Sequence, residues 1–286
     1  ETALDIYQQV ETFRRWTGNL DLIVNQNNDV LNILLPVEKP LVMPYLNKFD
    51  SIIERGLTVL NWKATGITEF IKDAMEQVTA VSDIVHTMKE NLTNVNDQLA
   101  NYNKPLLTRK VKPIVKEEFE REHKNLVKER YHDIKEGGKA IQTMVKDTNK
   151  VLRVSNASAD WRGYVDFVNN VVVSGLSEVV QTSLSYLLDQ LDPATIAKED
   201  KLPMVEVKMD LVSQKQPDDT RKDAIVFQPD LGETGNGKGM RDLVNSWIGS
   251  FFQVSTLFKR LDNEGSYLRE IHTDYNVKIL LAMINE

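Results

Sequence analysis

Residues 71–102 read IKDAMEQVTAVSDIVHTMKENLTNVNDQLANY. Ile71, Ala74, Val78, Val81, Val85, Met88, Leu92, Val95, Leu99 and Tyr102 follow one another at spacings of three and four without a slip. This is a heptad seam held over more than four heptads, on a helix about 46 Å long at about 1.5 Å of rise per residue. The positions between carry mainly Lys, Glu, Asp, Asn, Gln and Thr, so the helix buries one narrow stripe and wets the rest. Such a helix belongs in a coiled coil or a long-helix bundle rather than in a compact globule.

The flanking sequence agrees. Upstream, ALDIYQQVETFRRW (3–16) and LDLIVNQNNDVLNILL (20–35) read as helices stopped by Gly18 and Pro36, and a third runs over residues 41–60. Downstream, Pro113 suits the first turn of a helix reaching about Val154. Its apolar positions are sparse, and Gly137-Gly138 should loosen or bend it, since each Gly costs about 1 kcal/mol against Ala. Residues 161–191 give a further amphipathic helix, with Trp161, Tyr164, Val168, Val172, Val179, Leu184, Leu187 and Leu191 inside, ended by Asp192-Pro193. The period then changes to two: MVEVKMDLV (204–212) and AIVFQ (224–228), joined by a polar connection, read as a β-hairpin and the one sheet of the chain. MRDLVNSWIGSFFQVSTLFKRL (240–261) resumes helix.

Composition fits long helices, because 13 Gly and 9 Pro in 286 residues leave few turns. The absence of cysteine removes disulfides and thiolate metal sites. No apolar run approaches the ~20 residues of a membrane span. With no signal peptide visible either, the chain reads as intracellular; it starts at Glu1 and stops within an amphipathic run, and so reads as part of a longer polypeptide. Its formal charge of −7 is uneven: residues 104–153 carry 14 Lys/Arg against 8 Asp/Glu. Five basic residues, Lys104, Arg109, Lys110, Lys112 and Lys116, stand together without an acid. A nucleic-acid or membrane surface would want interleaved aromatics or one basic helix face. Here two prolines interrupt the stretch, which reads as a solvated connection between helices.

One motif suggests chemistry. Residues 232–239, Gly-Glu-Thr-Gly-Asn-Gly-Lys-Gly, follow a strand and open a helix, as a phosphate loop does. But Gly239 stands where the metal-holding hydroxyl should be, Pro229 removes a backbone donor, and the parallel sheet of nucleotide-binding folds is missing. The loop reads as a strand-to-helix linker. Glu120-x-x-His123 and Glu129-x-x-His132 copy a metal-binding step, yet nine residues on one helix place them on opposite faces, among charged neighbours. Both read as solvated charge pairs, and His86 and His272 as surface residues. The sequence therefore predicts no catalytic, cofactor-binding or metal-binding residue.

Residues 34–71, LLPVEKPLVMPYLNKFDSIIERGLTVLNWKATGITEFI, resemble the N-terminal tail of dynein heavy chains, where a Gly-Leu pair and an apolar-x-Trp step precede a long helix. Here these are Gly56, Leu57, Leu60 and Trp62. Gly56 would relax a helix end, with Leu60 and Trp62 as a bulky anchor. LPMVEVKMDL (202–211) and residues 225–261, ending in Phe258-Lys-Arg260-Leu261, are similar to a later hairpin-and-helix section of the same tail. The wording is closer to axonemal, outer-arm chains than to cytoplasmic ones.

The resemblance implies a mainly α, elongated series of long-helix bundles with one small β-hairpin near residues 203–228. It divides the chain into a bundle over 1–110, a long-helix hairpin over 111–200, a β-hairpin over 201–230 and the start of another bundle over 231–286. It also implies a non-catalytic rod in the ciliary or flagellar axoneme. Its partners would be other heavy chains, WD-repeat intermediate chains, light chains and the doublet microtubule with its docking proteins. No cofactor, nucleic acid or membrane insertion is expected, and the AAA+ ATPase modules would lie elsewhere in the parent chain. Two other readings stand beside it: a general coiled-coil tether, and a nucleotide-binding module that uses Lys238.

Overall fold

The computed structural model of the chain describes residues 2–60, 65–110, 112–198, 203–215, 221–232, 234 and 238–286. It is mainly α. The order is α1 (Ala3–Ile33), α2 (Lys39–Val59), α3 (Ile67–Tyr102), α4 (Lys116–Leu152), α5 (Ala159–Leu191) and the short α6 (Pro193–Lys198). Strands β1 (Lys208–Lys215) and β2 (Arg221–Gln228) follow, then α7 (Met240–Gln253), α8 (Leu268–Thr273) and α9 (Tyr275–Asn285). Two compact units result: Glu1–Val95 with Gln142–Val168, and Asn96–Ile141 with Asn169–Glu286.

The seam behaves as its spacing requires. Nine of its ten residues are buried along α3, and Leu92 is half-buried. In the first unit Ile71, Ala74 and Val78 join Ile23, Phe49 and Ile67 in one cluster, against which Trp16, Leu20 and Phe70 pack. That unit also buries an ion pair. Glu38, fully buried, accepts from the Leu35 amide at 2.8 Å and from Lys89 Nζ. Nearby, Asn91 donates to Thr148 Oγ1 at 2.9 Å, a polar contact between α3 and α4 beside the apolar stripe.

The second unit turns on Asn169, buried in the middle of α5. Its Oδ1 accepts from the Leu261 amide (3.1 Å) and from Tyr267 Oη (2.9 Å), and its Nδ2 donates to Asp262 (2.9 Å). Arg260 completes the arrangement: it holds Asp262 at 3.0 Å, pairs with Glu270, and lies over the Tyr267 ring, 5.3 Å from its centroid. Phe258-Lys-Arg260-Leu261 is thus a knot that fixes a long loop to the middle of α5.

Several expectations are corrected. Gly18 does not stop a helix; α1 runs through it, because one exposed Gly costs only about 1 kcal/mol. Gly137 and Gly138 neither loosen nor break α4. They are places of close approach: a Cβ at Gly137 would meet Tyr102 Oη at 1.6 Å, and one at Gly138 would meet Phe258 Cδ1 at 2.3 Å. Gly56 lies inside α2 and admits the Phe70 ring, whose Cε2 sits 2.2 Å from a Cβ built there. Trp62 lies outside the described residues. Leu191 is exposed.

The basic connection is not simply solvated either. Leu106 and Leu107 are buried, Arg109 donates to Gln190 at 3.0 Å, and Lys110 pairs with Glu122 at 3.1 Å. The strand region begins differently from its alternation. Val205 first forms a parallel bridge with Ile114, and the antiparallel hairpin starts only at Lys208, in the register Met209–Phe227 and Leu211–Ile225. By length and composition α5 could cross a membrane. Its apolar residues are instead spent on the protein core, with Tyr164 and Val168 buried in one unit and Val172, Leu176, Val179 and Leu184 in the other.

Candidate functional site

The phosphate-loop-like stretch begins after the hairpin. Gln228-Pro229 is a cis peptide, and the Gly232 amide donates to Asp230 Oδ1 at 3.0 Å. Of the loop itself, Gly232, Thr234, Lys238 and Gly239 are described; Glu233, Gly235, Asn236 and Gly237 lie outside the described residues. Two of the described amides and one hydroxyl converge on one side chain, while the Lys238 amide donates to Thr234 Oγ1 at 3.1 Å. Asp242 Oδ2, on the first turn of α7, accepts from Gly239 N (2.9 Å), Thr234 N (3.1 Å) and Thr234 Oγ1 (3.0 Å). These hydrogen bonds, the one from Gly239 first, hold its carboxyl below the usual range, with Lys116 adding a favourable charge. A carboxylate of the chain thus sits where donors at a helix N-terminus would otherwise gather a phosphate oxygen.

The loop is also pinned from α4. Lys116 Nζ, on a side chain that is almost fully buried, donates to the Lys238 carbonyl at 2.8 Å and pairs with Glu120 at 3.6 Å. A Cβ on Gly239 would fall 1.8 Å from the Gly232 carbonyl oxygen, so the two loop ends touch and only Gly fits at the second. Of the glycines that imitate a nucleotide site, Gly239 is thus required by a tight crossing of backbone.

Of the histidines, His86 and His132 are exposed. His123 is not the solvated charge pair that its neighbours suggest. Its ring lies 6.2 Å from that of Trp247, Nε2 meets Ser250 Oγ at 3.2 Å, and burial lowers its pKa to about 4. His272 is exposed yet stacks on Phe252, with ring centroids 4.2 Å apart and planes within 5°. Among the described residues no group of three or more His, Cys, Asp or Glu could hold a metal ion.

Apolar surfaces remain among the described residues. On the hairpin, Met209, Leu211, Ile225 and Phe227 share one face and are all exposed. In the first unit a groove of about 590 Å³ lies between α1, α2 and α3, lined by Leu20, Val24, Phe49, Ile53, Leu57 and Phe70. Leu57, of the Gly-Leu pair, is 79% exposed at its edge. The sequence pointed to that pair but not to the groove, whose floor depends on the close approach of the Phe70 ring to Gly56.

Long seams, buried glycine crossings and apolar surfaces, with an anion-like loop filled from within, describe a helical scaffold built for packing. The chain belongs to the dynein heavy chain family and corresponds to its N-terminal tail region. Residues 1–70 match the family model "Dynein heavy chain, N-terminal region 1". The chain is 36% identical over 280 residues, 97% of its length, to the "Dynein beta chain, flagellar outer arm" of Chlamydomonas reinhardtii. It is 30% identical over 264 residues, 91% of its length, to the "Dynein beta chain, ciliary" of Tripneustes gratilla. The "Dynein axonemal heavy chain 17" of Mus musculus is 28% identical over 263 residues. The similarity is therefore to axonemal chains of cilia and flagella, outer-arm chains included. The chain spans 6% of the length of each of these relatives.

Proposed function

We propose that these residues are a non-catalytic part of an axonemal dynein tail. They form a load-carrying helical rod that assembles heavy chains with WD-repeat intermediate chains and light chains and anchors the motor to the doublet microtubule. The observation that supports this most is the unbroken α3 seam within a chain similar along nearly its whole length to outer-arm and ciliary heavy chains. Helices with thin cores and charged flanks resist bending through packing along their length, which suits force transmission better than catalysis. The engagement of Gly239 and Thr234 by Asp242 supports a segment that holds no nucleotide of its own. The ATPase ring belongs, on this reading, to the rest of the parent polypeptide.

The test is purification of the native axonemal complex through a tag on the parent chain, together with nucleotide titration of the 286-residue chain. WD-repeat and light chains should co-purify, and Mg-ATP should show no saturable binding. Saturable Mg-ATP binding abolished by Lys238→Ala would overturn the non-catalytic part of the proposal. Recovery on vesicles without axonemal subunits would overturn the rest.

A further inference from the structure

Helix α4 carries a line of positive charge on its solvent side. Arg121, Lys124, Lys128, His132, Lys135 and Lys139 recur at spacings of three and four, all within one compact unit. At about 100° per residue they fall inside an arc of about 80°, on a line about 27 Å long. All six are exposed. Arg121 and Lys139 reach back to Glu118 (3.9 Å) and Glu136 (2.6 Å), but Lys124, Lys128 and Lys135 enter no ion pair among the described residues. Glu117, one turn before Arg121, closes the line at its N-terminal end.

Acids stand beside it. Glu122, Glu129, Asp133 and Glu136 lie about 60–120° round the helix from Arg121, so the basic line is narrow and bounded along one flank. None of the exposed large apolar residues of the described chain lies on α4, whose Phe119, Val127, Ile134 and Ile141 are buried. These features choose among anions. A bilayer or a duplex spreads its phosphates over a breadth that would bring them against the flanking carboxylates. A bilayer also asks for apolar side chains to insert, and a single strand for aromatics to stack on; the line offers neither. Four of its five permanent cations are Lys, point charges rather than the forked Arg that grips phosphate. A narrow ligand with carboxylates in one row fits what remains. We propose that this face of α4 docks a Glu- and Asp-rich segment of a separate protein.

A separate protein fits better than another part of this polypeptide. Helices that stay together in one fold bury an apolar core, as α3 does, whereas the line on α4 holds only solvated charge. Exposed ion pairs add little lasting affinity, but they speed and orient an encounter that is made and broken. The chain as a whole carries a formal charge of −7, which repels an acidic segment elsewhere and steers it to this face. The inference rests on α4 alone and not on the assembly role above, so either can fail without the other.

Carbodiimide coupling in the native axonemal complex tests it, because the reagent joins a lysine amine only to a carboxylate in contact with it. Peptide mass spectrometry should find Lys124, Lys128 or Lys135 joined to an Asp- and Glu-rich segment of another polypeptide. Links from these lysines only to the same heavy chain would overturn the proposal. So would links no more frequent than those from Lys48 and Lys278, exposed lysines of α2 and α9. A second arm couples full-length heavy chain to an added oligoglutamate peptide of about ten residues, long enough when extended to span the line. Coupling at Lys124 should fall about fivefold or more when Lys128→Gln and Lys135→Gln are combined, and again when salt is raised from about 0.05 to 0.5 M. Lys48→Gln with Lys278→Gln, an equal loss of charge, should leave it unchanged. Equal losses in the two variants would overturn the proposal, as would stronger competition from duplex DNA or phosphatidylserine vesicles than from free oligoglutamate.

Discussion

Replacing helical glycines with alanine should change stability with a sign that depends on contact rather than on helix propensity. Gly138 in α4 and Gly249 in α7 belong to the same compact unit, so one unfolding transition reports both. Alanine gains about 0.5–1 kcal/mol over glycine in a helix where space allows. Gly249 has nothing within 4 Å of a built Cβ among the described residues, so Gly249→Ala should stabilise by about that amount. At Gly138 the new methyl would lie 2.3, 2.4 and 2.8 Å from three ring atoms of Phe258, more than 1 Å inside ordinary contact for the closest. The ring cannot readily retreat. It packs on Tyr267 with centroids 5.6 Å apart, and Tyr267 is buried and bonded to Asn169. Overpacking of this kind costs about 1–3 kcal/mol, and the upper half of that range applies. Gly138→Ala should therefore destabilise by about 1–2 kcal/mol net, which separates the pair by about 2–3 kcal/mol. Urea unfolding followed by far-UV circular dichroism resolves such a gap. Equal stabilisation by both substitutions would show that Phe258 does not press on α4, and the account of the loop knot would fall with it.

The remaining predictions concern charge. Lys89→Met leaves the Glu38 carboxylate buried without its counter-ion and should cost about 3 kcal/mol, much of it recovered by adding Glu38→Leu, as a double-mutant cycle in urea would show. His123 is held neutral, with its pKa lowered to about 4, while the unfolded chain titrates near 6.5. Between those values the unfolded state binds the extra proton, so stability should fall as pH drops from about 6.5 towards 4. The loss should be of order 1–2 kcal/mol after allowance for the partly exposed ring, and His123→Asn should flatten it. Asp242→Asn should lower the melting temperature and free the amides of Gly239 and Thr234 to exchange faster; unchanged protection would mean that the carboxylate does not organise the loop.

The fold was largely legible where one physical rule dominates. The spacing of Ile71 to Tyr102 predicted both the helix and its buried face, and the alternation after Met204 predicted a hairpin. The amphipathic pattern of residues 161–191, ended by Asp192-Pro193, gave α5 to within two residues. What escaped depends on distant partners. Gly137, Gly138 and Gly56 look like helix breakers locally, and only Tyr102, Phe258 and Phe70 reveal them as landing sites. His123 looked solvated because its sequence neighbours are charged, although Trp247, 124 positions away, covers it. Asn169 carried no signal at all, since an amide in an apolar helix announces neither Leu261 nor Tyr267. The glycine loop could be doubted from Gly239 and Pro229, but not that Asp242 would fill it.

Asn169 has a further consequence. It is at once donor to a carboxylate and acceptor from a hydroxyl and an amide, so its two ends are not interchangeable. Hydrolysis of that amide, an exchange of one nitrogen for one oxygen, would set a second anion face to face with Asp262. A hydrocarbon of equal size would strand both Leu261 and Tyr267. Position 169 accordingly admits no isostere, and any substitution there should loosen the loop of residues 260–267 from α5.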